Sequence, residues 1–144
     1  MKKALAFCVA VLSTALSGAA LAAPGFTTDD VNMRTGPDTA YPPVTVLPAG
    51  LPVDIKGCLQ DQSWCDVATG IYRGWVYGEY LAMAYGGQQV LVPEYAPVLG
   101  VPVVGFNFAR YWNRYYQGAP WWGQYGQWQY YTPRPRPGWG PPPP

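Results

Sequence analysis

Between Asp29 and Tyr80 the chain alternates apolar and polar residues in short runs, each closed by a turn signal. In "DDVNMR", Val31 and Met33 alternate with Asn32 and Arg34, which predicts a strand over 29–34. "TGPDTAYPP" at 35–43 reads as a loop, punctuated by Gly36-Pro37 and stiffened at its exit by Pro42-Pro43. Further strands are predicted at 44–47, at 51–57 with Leu51, Val53 and Ile55 inward, and at 63–69. In the last of these Cys65 and Val67 face one way and Trp64, Asp66 and Ala68 the other. "RGWVYG" at 73–78 is the fifth strand, and "EYL" after it reads as a single tight helical turn. Five strands in so short a span suit a small bent barrel, because closure removes most open edges. Gly50, Gly57, Gly70 and Gly74 are read as its corners.

Beyond Met83 the period breaks down. "QQVLVPEYAPVLGVPVVGFNF" has apolar runs interrupted by Pro93, Pro97, Gly100 and Pro102, and is expected to add two short strands. "NFARYWNRYY" at 107–116 predicts a short helix capped by Asn107, with Phe108, Tyr111, Trp112 and Tyr115 on one face. The last stretch is Trp, Tyr, Gln, Gly and Pro, ending in "TPRPRPGWGPPPP". Its prolines favour polyproline II, so disorder is expected from about Gly123. The expected fold class is all-β: a five-stranded barrel, an extension of short strands and one helix, and a disordered Pro-rich tail. The segment boundaries are 1–22, 28–83, 84–122 and 123–144.

The first segment is set apart by its own pattern. Lys2 and Lys3 precede the apolar run Ala4–Ala15, which is short for a bilayer span, and Ala20-Leu21-Ala22 has the form of a leader cleavage site. Export to the periplasm or medium, with cleavage after Ala22, is the expectation; a retained membrane anchor is the alternative. The chain without its leader keeps only Cys58 and Cys65, and in an oxidising space these are expected to pair. It carries seven basic and eight acidic residues, a net of −1, so a general nucleic-acid footprint is absent. No stable membrane insertion of the mature chain is expected. The charge is uneven: residues 28–85 sum to −4 and residues 86–144 to +3.

The chain has no histidine, which removes Ser-His-Asp and Cys-His catalysis and the commonest metal ligand. The carboxylates Asp29, Asp30, Asp54, Asp66 and Glu79 show no spacing that pairs an acid with a base, and read as solvated or turn-capping groups. No catalytic residue, metal site or cofactor is therefore expected. Arg34 precedes a Gly-Pro turn and has two readings, a clamp on loop carbonyls or on Asp38, or a ligand contact. Gly36 is expected to need a backbone angle that a side chain resists. The aromatics are the candidates for a surface, since an amphipathic ring can stack on a ligand and keep its polar edge wet. Trp75 reads as core. Tyr41, Trp64 and Tyr80, with Arg34, form the expected ligand groove, unless some of them receive the thirteen aromatics that follow residue 104.

"VNMRTGP" at 31–37, "VLPAG" at 46–50, "WCDV" at 64–67 and "GWVYGEYL" at 74–81 resemble the bacterial SH3 domain in order and spacing. The resemblance implies a five-stranded SH3-like barrel, with Asn32, Gly36, Gly74, Trp75 and Val76 marking the fold. It also implies a binding or targeting role at the cell wall. The longer chain is similar to small exported alphaproteobacterial proteins in which such a domain precedes a segment like "VPEYAPVLGVPVVGFNFARYWNRYYQGAPWW". The function expected is a non-enzymatic envelope module that contacts peptidoglycan, or an envelope protein or peptide, through the aromatic groove. The alternative is an interaction protein acting through its aromatic, basic C-terminal arm.

Overall fold

The computed structural model describes residues 23–133. The expected leader, 1–22, and the terminal proline-rich residues 134–144 lie outside the described residues. Eight strands form one sheet: β1 (Ala23–Thr27), β2 (Val31–Arg34), β3 (Pro43–Leu47), β4 (Pro52–Cys58), β5 (Trp64–Thr69), β6 (Tyr72–Tyr77), β7 (Leu81–Tyr85) and β8 (Gln88–Leu91). Their order is β3-β2-β6-β5-β4-β1-β7-β8, with every neighbouring pair antiparallel. All five expected strands are present, and "GEY" makes the expected tight turn as a 3-10 helix over Gly78–Tyr80.

The architecture differs from the expectation of a closed five-stranded barrel. The sheet is open, and the free edge of β4 is taken by β1 instead of by closure. "APGFT" gives β1 no alternating pattern, and Pro24 and Gly25 argue locally against a strand. Tertiary pairing overrides this: Ala23–Phe26 pair with Ile55–Pro52, and Phe26 and Thr27 with Ala82 and Leu81. Thr27 is fully buried and ties down the turn before β4, its Oγ1 donating to Pro48 O at 2.6 Å and accepting from Leu51 N at 3.0 Å. The sheet's two outer strands are short, and Pro43 lacks an N–H to offer a neighbour.

Gly50 and Gly70 are corners, with φ of 74° and 54°. Gly57 and Gly74 have another reason to be glycine. A Cβ on Gly57 would overlap Val104 Cγ1, and one on Gly74 would sit 2.7 Å from Arg34 O. At Gly36 the expected unusual backbone angle is not present; the ring of Tyr41 lies against it, leaving no room for a side chain.

Of the two short strands expected over 88–108, one is present as β8, and the segment after it departs from the expectation. Residues Val92–Leu99 form a helix, α1, with Pro93 in its first turn, where the missing N–H costs nothing, and Gly100 closing it at φ 71°. Val92 and Ala96, one turn apart, are the residues it buries. The chain then runs beside β4, where Cys58 N donates to Pro102 O and Val104 N to Cys58 O, both at 2.9 Å. The expected helix is α2 (Phe108–Tyr115), with Asn107 Oδ1 accepting from Arg110 N at 2.9 Å as its cap. Disorder from Gly123 is not what the described part of the tail shows. Residues Tyr125–Trp128 form a helical turn, α3, and Tyr131 reaches back to donate to Asp38 Oδ2 at 3.0 Å.

Alternation along β5 and β6 divides the interior into two layers. Cys65, Val67 and Val76 enter an aliphatic core with Val31, Met33, Ile55 and Leu81. Trp64 and Trp75 point the opposite way and join Tyr41, Tyr111, Trp112 and Tyr116 in an aromatic core closed by the C-terminal arm. Asp66 lies in this second layer, buried at 7 % exposure. It accepts from Arg73 Nε and Nη2, each at 2.7 Å, and from Tyr111 OH at 2.6 Å. Trp112 Nε1 donates to Thr35 O at 3.0 Å and Tyr116 OH to Arg73 O at 2.8 Å. Burial opposes ionisation of Tyr41, Tyr111 and Tyr116 and pushes their pKa values well above the usual phenol range.

Two predictions follow from these layers. Cys58 and Cys65 face each other across β4 and β5 and are joined by a disulfide that closes a short hairpin. Replacing both by serine should lower unfolding stability by roughly 2.5 kcal/mol, as measured by urea denaturation. The buried phenols are neutral in the folded chain, so their contribution to stability should be flat up to about pH 10, where the same phenols ionise in the unfolded chain. Above that it should fall by up to about 1.4 kcal/mol per pH unit for each phenol held neutral, because the unfolded chain then releases protons that the folded chain keeps. Denaturation midpoints between pH 8 and pH 11.5 would show it.

Candidate functional site

A concave surface of about 780 Å³ opens between the outward row of β2 and a wall of rings from β5, β6 and the following turn. Alternation along β2 turns Val31 and Met33 inward, so Asn32 and Arg34 face outward beside Asp29 and Asp30. Asp30 is fixed by Ala49 N, which donates to its Oδ1 at 2.9 Å. The strand rise places Asp30 and Arg34 roughly 13 Å apart along the groove, one acidic end and one basic.

The opposite wall is a run of three rings. Trp64 and Tyr77 are a directly opposed cross-strand pair, their centroids 5.5 Å apart, and Tyr77 meets Tyr80 at 5.7 Å. Trp64 is the floor, only 2 % exposed, and its buried Nε1 meets no hydrogen-bond partner among the described residues. Tyr80 is the rim, 39 % exposed. The 3-10 turn Gly78–Tyr80 sets this rim, because it swings the chain back over the groove directly after β6.

Arg34, Trp64 and Tyr80 of the expected groove are thus brought together, and Tyr41 is not. Tyr41 is fully buried against Phe106, Trp128 and Tyr131, at 5.7, 5.0 and 5.2 Å between centroids. The correction has a physical cause: the arm's apolar rings need an apolar face, and Tyr41 with Trp75 supplies it. Among the described residues, none of the arm lines the groove. Arg34 acts as a clamp, its Nη1 donating to Tyr41 O at 3.0 Å. Burial pulls its pKa down and the charge of Asp38 opposes this.

Asn32 was read from the sequence as a mark of the fold, and Asp29 and Asp30 as solvated groups; all three line the groove, as does Tyr77. The signal that could have found them is the two-residue period of β2, which puts positions 30, 32 and 34 on one face.

An antiparallel, curled sheet with an open groove of rings and opposed charges has the form of a small binding module. Residues 29–82 match the family model of the bacterial SH3 domain, and such domains are in general binding modules, commonly of the cell wall. The match begins after β1 and ends within β7, leaving β8 and the helical arm outside it. No curated protein and no solved structure matches the chain. The disulfide and the domain family are consistent with an extracytoplasmic location. Among the described residues no helix is long and apolar enough to cross a membrane.

Arg34→Ala should destabilise the protein by about 1.5 kcal/mol through loss of the charge-assisted bond to Tyr41 O, and Arg34→Lys should recover only part of this, since an ammonium cannot present the same planar fork. Urea denaturation of the two variants measures it.

Proposed function

We propose that the chain is a non-enzymatic binding module of the cell envelope and that the groove between β2 and the Trp64–Tyr77–Tyr80 wall takes a short peptide of the peptidoglycan type. The observation that carries this reading is the pairing of a ring wall with a β2 face that is acidic at Asp29 and Asp30 and basic at Arg34. An extended peptide of about four residues spans roughly the same 13 Å. Its ammonium would sit at the acidic end and its carboxylate at Arg34, with Asn32 between them able to bond backbone groups. Placement in the periplasm or medium, after removal of 1–22, agrees with the disulfide and with the domain family.

The other reading makes the aromatic arm the interaction element. Most of the arm's rings are engaged by the sheet in the aromatic core, which favours the groove as the ligand surface.

Titration of the isotope-labelled protein with purified muropeptides should shift the amide signals of Asn32, Tyr77 and Tyr80. Tyr80→Ala should weaken binding by about fivefold or more, since truncating a contacting aromatic at a binding surface typically costs 1 kcal/mol or more. Signals that stay unmoved at millimolar muropeptide would sink the proposal.

A further inference from the structure

A second cavity, of about 360 Å³, lies between α2 and β5. Arg110 and Arg114 stand on it one helical turn apart, with Phe106, Asn107 and Tyr115 around them. Both arginines are exposed, and neither forms an ion pair among the described residues. All eight acidic residues lie between Asp29 and Glu94, and the undescribed ends, 1–22 and 134–144, contain none.

The one carboxylate in the cavity wall is already occupied. Asp66 holds Arg73 through both oxygens and takes the Tyr111 hydroxyl as well. Burial alone would lower the Arg73 pKa, but the hydrogen bond and charge of Asp66 overcome it and raise it. The ring of Tyr115 carries Arg73 at 4.4 Å and Arg114 at 5.5 Å from its centroid, which orients the second guanidinium. Arg110 and Arg114 therefore share the cavity with one carboxylate that is already paired to Arg73. Asn107 uses its Oδ1 for the helix cap, so its amide N–H groups remain to donate.

We infer that this cavity binds a phosphate monoester carried on a small polar body, with Arg110 and Arg114 closing on the phosphate and Asn107 donating to a hydroxyl of the body. Side chains one turn apart on a helix are neighbours, so the two forks can converge on a single centre. A carboxylate fills one fork; a phosphate monoester, with up to two charges and three terminal oxygens, can fill both. The cavity is at the small end of ligand sites, which suits a sugar phosphate or a lipid headgroup better than a larger ligand. The inference does not depend on the peptide groove, which shares no lining residue with this cavity and has different chemistry.

The test is calorimetry on the full mature chain at low salt, with glucose 1-phosphate and with glucose, alongside sedimentation with phosphatidylcholine vesicles with and without phosphatidic acid. Glucose 1-phosphate should bind and glucose should not. Arg110→Gln with Arg114→Gln should weaken binding by about tenfold or more, and each single change by a smaller factor, as expected for charge-assisted contacts. Both side chains are exposed, and an unchanged thermal midpoint would verify that the fold is kept. Capture by phosphatidic acid vesicles with weak binding of the sugar phosphate assigns a lipid source; the reverse assigns a soluble one. Absence of binding to both at about 10 mM phosphate, or equal binding by the double variant and the unaltered chain, overturns the inference.

Discussion

A single buried carboxylate joins three parts of this molecule. Asp66 comes from β5, Arg73 from β6 and Tyr111 from α2, and the three meet within hydrogen-bonding distance in a layer otherwise built of rings. An unpaired charge there would be strongly unfavourable, so Asp66 is tolerable only with both partners in place. The pair therefore specifies where the arm lies. It also explains why β5 is buried on both faces, whereas an antiparallel sheet commonly leaves one face to water. The arm serves as the missing layer.

That layer supports the groove without covering it. Phe106, Trp128 and Tyr131 bury Tyr41, and the carbonyl of Tyr41 holds the guanidinium of Arg34 at the basic end of the β2 face. The mechanical line runs from arm to loop to arginine. Residues 35–41, which carry only short turns of their own, are pinned from above by Trp112 on Thr35 and by Tyr131 on Asp38. A ligand reaching Arg34 would meet a side chain already held in place, which limits the entropy lost on binding.

The elements legible in the sequence were those with a clean local period. The five strands from β2 to β6, the turn at Gly78–Tyr80 and α2 with its Asn107 cap all have alternation, punctuation or a capping residue that needs no tertiary help. What was hidden depended on distant partners. Strand β1 has no period and is held by β4 and β7; α1 carries Pro93 and Pro97, which read as breaks although the first stands in the helix's opening turn. Gly57 and Gly36 read as backbone devices, while the reasons for them are Val104 and the Tyr41 ring lying alongside. In the groove, Trp64, Tyr80 and Arg34 could be chosen by chemistry. Tyr41 could not be told from them, because only the docked arm decides which rings remain accessible.

The place of β1 in the sheet has a kinetic consequence. It lies between β4 and β7, so β7, β8 and the helix packed on them join the rest of the sheet through it. Its pairing with β7 links Phe26 and Thr27 to Ala82 and Leu81, and such a distant closure is entropically slow. The hairpins from β2 to β6 can zip up early, but the first strand must wait for residues near Leu81 before it has both neighbours. A chain crossing a membrane in extended form from its N-terminus would thus deliver β1 first and complete its pairing late.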